Sequence, residues 1–191
     1  MRKNLARYLY PSVFEHVAFV EKHNSELVTA IESIKNQERT NEWIIEMIRK
    51  LTTSRRHQIL GIEMNEKTRH ETVVSCFADR LSLDIHVFAN HSRDRRSVTT
   101  LHARLNQQDP EKLFIIDIPN KTSANRGYGS IAMKYLFKLC RSLDIKYITG
   151  SISPVDDGHY DRLEHFYMKF GFTVVLPTES SDGYIYRELD K

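Results

Sequence analysis

Along the first third of the chain, Val13, Val17, Val20, Asn24, Leu27, Ile31 and Ile34 recur at alternating intervals of four and three. That spacing predicts a helix whose apolar seam packs lengthwise on a partner, with Asn24 its one polar position. Its start is marked by Ser12 and Glu15, an S-x-x-E capping box just after Pro11, in which each side chain satisfies a backbone N–H of the first turn. A polar stretch from Lys35 to Asn41 interrupts the seam before Trp43, Ile44, Met47, Ile48 and Leu51 resume helical spacing. The expectation is a helical hairpin over residues 1–56. One long bent helix stays open, because the connection contains neither Gly nor Pro.

Beyond Arg56 the period shortens. Gln58 to Met64, Glu71 to Phe77, Leu83 to Phe88 and Val98 to Ala103 read as strands, and Asn90 to Arg96 as a polar loop. Leu113 to Ile118 is a buried strand closed by Pro119. Gly129 to Leu143 reads as a helix with Ala132, Leu136, Leu139 and Leu143 on one face, and Tyr147 to Ser153 as the next strand. A helix from Gly158 to Phe170 carries Leu163, Phe166, Tyr167 and Phe170 on one stripe and stops at Gly171. Phe172 to Leu176 and Tyr184 to Leu189 complete the strands. The order describes a mixed α/β core over 57–191, preceded by the helical region 1–56.

Composition narrows the class without naming a chemistry. With 40% hydrophobic, 28% charged and 10% aromatic residues among 191, the chain can bury a core and is not a disordered tail. The net charge is +3, and Arg55, Arg56, Arg93, Arg95 and Arg96 are interspersed with acids, which favours a solvated face over a nucleic-acid surface. Cys76 and Cys140 stand far apart with no CxxC, so reduced thiols are expected and no zinc site. No run approaches a membrane span and the basic N-terminus precedes no apolar leader core, so the expectation is a cytoplasmic protein with no membrane partner.

The chemistry concentrates between the strand ending at Ile118 and the next helix, in Asn125-Arg126-Gly127-Tyr128-Gly129-Ser130. Two glycines one residue apart let the backbone turn tightly, and the first amides of the helix have no carbonyl partner, so an anion is the natural occupant, with a tight structural turn as the alternative that the glycine spacing alone leaves open. Gly127 to Ala132 also fits G-x-G-x-x-A, but about eight residues separate it from the strand, which a dinucleotide fold does not allow. Neither a phosphate loop ending in G-K-[ST] nor a G-x-S-x-G elbow around Ser130 is present.

Phe114-Ile-Ile-Asp-Ile-Pro119, then Asn125 to Ser130, then Phe166-Tyr-Met-Lys-Phe-Gly-Phe172 together resemble the Gcn5-related N-acetyltransferases, over about Leu113 to Leu189. The resemblance implies a mixed, mostly antiparallel central sheet flanked by helices, acetyl-CoA as co-substrate, and transfer of acetyl to a primary amine. It implies that Asn125, Arg126, Gly127, Tyr128, Gly129 and Ser130 hold the CoA diphosphate, and that Tyr167 protonates the departing thiolate. A bulge at Asp117 to Pro119 would open a wedge for the thioester, with the backbone of Ile118 as its contact. The family's usual Gln or Arg is Ala124 here, and its frequent Asn seven residues before the tyrosine is Tyr160.

For the base that receives the amine's proton, Asp117 is the candidate, with His159 and Asp156 behind it; the other histidines read as surface or core residues without i, i+4 pairing. The acceptor is a small molecule, peptide or protein amine. A different class stays open: a catalytically weak acyl-CoA-binding or interaction module that docks a partner, or a second copy, through its N-terminal helices.

Overall fold

From Pro11 to Thr53 the chain forms one helix, α1, the second of the two arrangements left open by the sequence; the expected hairpin is not formed. Residues 12–53 contain no Gly or Pro, and the interrupting stretch is built of helix-compatible Lys, Asn, Gln, Glu and Arg. Local bonds carry the helix through it: Gln37 donates to Asn41 Oδ1 at 3.1 Å and Thr40 to the Asn36 carbonyl at 3.0 Å. The structure, a computed structural model, describes residues 11–54, 56–92, 96–119, 125–178 and 180–189, without the side chains of 11–18 and 156. The Ser12–Glu15 capping box therefore lies outside the described side chains, as do Arg55, Arg93, Arg95 and Ala124.

The chain divides into two compact units at Trp43/Ile44. In the first, the seam of α1 is uncovered: Val20, Leu27, Ile31 and Ile34 are all exposed. Within the second, Met47 and Leu51 of the same helix are buried.

The second unit is an eight-stranded sheet in the order β1-β2-β3-β4-β5-β6-β8-β7. Strands β1 (His57–Met64), β2 (Glu71–Ala78), β3 (Ser82–Ala89), β4 (Thr99–Leu105) and β5 (Lys112–Asp117) form an antiparallel meander. Helix α2 (Tyr128–Ser142) then crosses over to β6 (Tyr147–Ile152), which runs parallel to β5. Helix α3 (Tyr160–Lys169) leads to β7 (Thr173–Val175), and β8 (Gly183–Glu188) returns to lie between β6 and β7. The architecture is mixed α+β, as expected, and each expected strand is present within two residues of its predicted ends.

One sheet face is the core. Val74, Cys76, Ile85, Val87, Leu101, Ala103, Leu113 and Ile115 alternate inward and meet the buried face of α2, which includes Tyr128, Met133, Leu136 and Cys140. Period two on the strands and period 3.6 on the helix bring these residues together. Burial pushes the Cys140 thiol up to about 12 and the Cys76 thiol up to about 11, so both are inert thiols. Ile85 is fully buried, and Ile85→Val is expected to cost about 1 kcal/mol of unfolding free energy, read as a denaturant midpoint shift at constant m-value.

Candidate functional site

Gly127 precedes α2 in the left-handed region, with φ 88°. Asn125 also has positive φ, 61°. This reverses the chain so that the N-terminus of α2 points into the turn. Ser130 N–H and Ile131 N–H both bond the Gly127 carbonyl, at 3.0 and 3.2 Å. The N–H groups of Gly127, Tyr128 and Gly129 have no acceptor among the described residues. Of the sequence-predicted site, Asn125 and Arg126 are exposed, Gly127 and Ser130 half-buried, and Tyr128 and Gly129 buried.

The turn is braced by the β1–β2 hairpin, which the sequence reading did not connect with it. Asn65, buried, donates from Nδ2 to the Arg126 carbonyl at 2.9 Å, and its Oδ1 accepts from Lys67 N–H at 3.0 Å. Lys67 Nζ reaches the Asn125 carbonyl at 3.4 Å. Tyr128 plants its ring in the core with its hydroxyl 3.2 Å from Thr68 Oγ1 and 3.3 Å from His91 Nδ1. Burial, then His70 and Arg126 nearby, lower the His91 pKa from the ordinary imidazole value. The only signal in the sequence was a lone Asn in a short strand connection, which reads equally as a turn former.

Helix α3 ends by a local rule. Gly171 has φ 73°, its N–H bonds the Met168 carbonyl at 2.9 Å, and Phe172 N–H bonds the Tyr167 carbonyl at 3.2 Å, which is the Schellman pattern. Tyr167 is buried, its ring edge-on to Phe166 at 5.3 Å and to Phe172 at 5.5 Å. Lys169 Nζ lies 3.2 Å from Ser130 Oγ, so the helix that carries Tyr167 is tied to the first turn of α2. His159 stands at the start of α3, exposed, with Nδ1 2.8 Å from the Gly158 carbonyl, and Tyr160 bonds the Pro154 carbonyl at 3.1 Å.

The strand irregularity falls one residue earlier than expected. Ile115 pairs with Ala103 and Asp117 with His102, so Ile116 is the extra residue of a β-bulge. Pairing ends at Asp117, because Pro119 cannot donate to a ladder and restrains Ile118 before it; the bulge therefore lies inside the strand rather than at 117–119. Its effect is to turn Asp117 to the face opposite the core. Register partners share a face, so Asp117, His102 and Asp84 form one row across β5, β4 and β3. The next row holds Ser75, His86 and Thr100. His102 Nδ1 is 2.9 Å from Asp84 Oδ1, and His86 Nδ1 3.1 Å from Thr100 Oγ1. Burial, then His57 at 5.4 Å between ring centroids, hold the His86 pKa below its ordinary value.

Strands β5 and β6 pair only from Lys112/Tyr147 to Ile115/Gly150 and have no ladder partner for each other beyond. On the face of the polar rows, a cleft of about 450 Å³ opens over Phe114, Thr149, Ser151, Tyr184 and Tyr186. Among the described residues no cluster of His, Cys, Asp or Glu could hold a metal ion, and no helix is long and apolar enough to cross a membrane.

No family profile matches the sequence. A 65-residue stretch is 43% identical to "Uncharacterized protein YocC" of Bacillus subtilis (strain 168), covering 34% of this chain and 39% of that protein. Among solved structures, the chain is similar to an acetyltransferase from Thermus thermophilus, with TM-score 0.44, 18% identity, and 59% of this chain and 67% of that one covered. It is also similar to PaiA N-acetyltransferase from Thermoplasma acidophilum in complex with coenzyme A, with TM-score 0.44, 15% identity, and 57% and 62% coverage. Ard1 from Thermoplasma volcanium aligns with TM-score 0.44 at 17% identity, over 56% of this chain and 71% of its own.

Proposed function

We propose that residues 57–191 form an acetyl-CoA-dependent N-acetyltransferase of the Gcn5-related type, transferring acetyl directly to a primary amine within a ternary complex. The observation that carries this reading is the turn before α2: three successive amides without an acceptor among the described residues, at the positive end of a helix, held in place by Asn65. A diphosphate gains from both the amides and the helix dipole. Arg126, exposed beside them, adds charge in place of the side chain that Ala124 does not provide. Gly127, Tyr128, Gly129 and Ser130 would line the anion, with Asn125 shaping the turn.

When bound, acetyl-CoA supplies an activated thioester. Beyond Ile115 the edge of β5 toward β6 has no ladder partner, so main-chain groups from Ile116 to Ile118 can align the cofactor arm, Ile118 facing the thioester end. Tyr167 donates a proton to the leaving sulfur. Asp117, exposed beside the bulge, draws the cationic form of the amine. Holding both reactants in one wedge removes much of the entropy of their encounter.

Calorimetric titration with acetyl-CoA tests the reading, with one site per chain expected and thiol release on adding primary amines. No heat of binding, or a crystal soaked in CoA with the turn empty, would overturn it.

The uncovered seam of α1 supports a second role, homodimerisation. We infer a second copy rather than another partner from Asn24: in a parallel pair it meets itself, and an amide, both donor and acceptor, is satisfied by its own copy. Sedimentation is expected to give a dimer, and the double substitution Leu27→Lys, Ile31→Lys a monomer that still binds acetyl-CoA. A wild-type monomer at all concentrations would exclude the pairing.

A further inference from the structure

The reaction proposed above leaves one task without an owner. An amine attacking a carbonyl loses a proton, and in water near neutral pH it arrives as an ammonium ion with another to shed. A carboxylate such as Asp117 attracts that ion well but is a weak proton acceptor when exposed. The residue that receives the proton should lie beside Asp117, be open to solvent on one side, and be held by a partner on the other.

His102 meets each condition. It is the direct register partner of Asp117, so their β-carbons stand about 4.5–5.5 Å apart on one face. Its ring is partly open, its side chain keeping 39% of its exposure. On the far side, the register partner Asp84 on β3 takes Nδ1 at 2.9 Å, with only 23% of its own side chain exposed. An ionised carboxylate only accepts, so this bond fixes the proton on Nδ1 of the neutral ring and leaves the lone pair on Nε2.

Without the bulge at Ile116 the row would not exist. Strict alternation would put Asp117 on the core face with Ile115, and His102 would face an apolar side chain. The extra residue re-aims one carboxylate and makes a carboxylate–imidazole–carboxylate row at the strand end where β5 leaves β6. The row sits on the same face as the cleft over Phe114, Tyr184 and Tyr186.

We propose that His102, oriented by Asp84, is the general base of the transfer, accepting the amine's proton at Nε2 while Asp117 holds the approaching ammonium group. The step balances. The ammonium group held by Asp117 first sheds one proton to solvent; the lone pair so freed forms the C–N bond, the remaining surplus N–H proton passes to His102, the C–S bond breaks, and the sulfur leaves with the proton of Tyr167; exchange with solvent resets both side chains. The charged and titratable groups around His102 are Asp84 from β3, Asp117 from β5, Arg104 two residues along its own strand, and His86 in the neighbouring row. Asp84 and Asp117 bring negative charge to the ring and Arg104 positive charge, while burial, then His57, lower the His86 pKa from its ordinary value. The inference rests on the transferase reading, and its test separates the two.

The experiment uses the full chain and follows thiol release from acetyl-CoA with 2-phenylethylamine, whose ring suits the aromatic cleft, and in parallel with water as acceptor, from acid to alkaline pH. Calorimetry with acetyl-CoA accompanies each variant. His102→Gln is expected to lower turnover about 10²-fold, with cofactor affinity unchanged. Asp84→Asn keeps the imidazole but not its orientation; kcat drops about tenfold while acetyl-CoA affinity and the KM for the amine stay near wild type. Free imidazole restores part of the turnover of His102→Ala, which a structural role does not predict. Wild-type turnover in His102→Gln, with acetyl-CoA still bound, would overturn the base. So would a wild type that binds acetyl-CoA yet releases no thiol with either acceptor. Failure of the wild type to bind acetyl-CoA strikes the cofactor reading instead.

Discussion

Tyr167→Phe is expected to lower turnover by about 10³-fold while leaving acetyl-CoA affinity close to wild type. The expectation follows from how the ring is held. Its ring packs edge-on against Phe166 and Phe172, packing that a phenylalanine reproduces, so the substitution removes the proton donor and keeps the ring in place. Lys169 keeps the helix tied to Ser130 in either protein. Steady-state kinetics should show kcat and kcat/KM falling together, the mark of a group that acts in the transition state. Equal turnover in the variant removes Tyr167 from the scheme and leaves a water molecule to protonate the sulfur.

Gly127→Val should weaken acetyl-CoA binding by about 10²-fold, an effect of about 3 kcal/mol, measured by calorimetry. A β-branched residue at φ 88° is strained in itself. A β-carbon there would also lie 3.1 Å from Asn65 Oδ1. Asn65 cannot retreat cheaply, because the same side chain bonds the Arg126 carbonyl and two amides of the β1–β2 turn. Either the turn or its brace must move, and the three amides lose their common aim. Affinity unchanged in this variant would mean that the turn is not the cofactor's anchor.

Much of this was legible in the chain. Alternation and helical period located every strand and both helices of 57–191, since one buried sheet face and one buried helix face leave that imprint. The glycine turn was legible because few other residues reverse a chain at positive φ. Three features were not. The course of α1 through 35–41 depends on helix propensity where the apolar pattern is silent. The bulge falls inside Phe114-Ile-Ile-Asp117, where the neighbouring isoleucines hide which residue is extra. The row of Asp84, His102 and Asp117 gathers residues from three strands, and a histidine shows no such neighbours until register is known.

The position of β8 between β6 and β7 bears on how the molecule is made. During synthesis β6 leaves the ribosome with one flank open, and the segment that covers it, 183–188, emerges about thirty residues later. Tyr184 and Tyr186 arrive with it, so the cleft's aromatic wall is assembled after the turn before α2, and on the proposed reading a nascent domain takes up acetyl-CoA before it holds an amine.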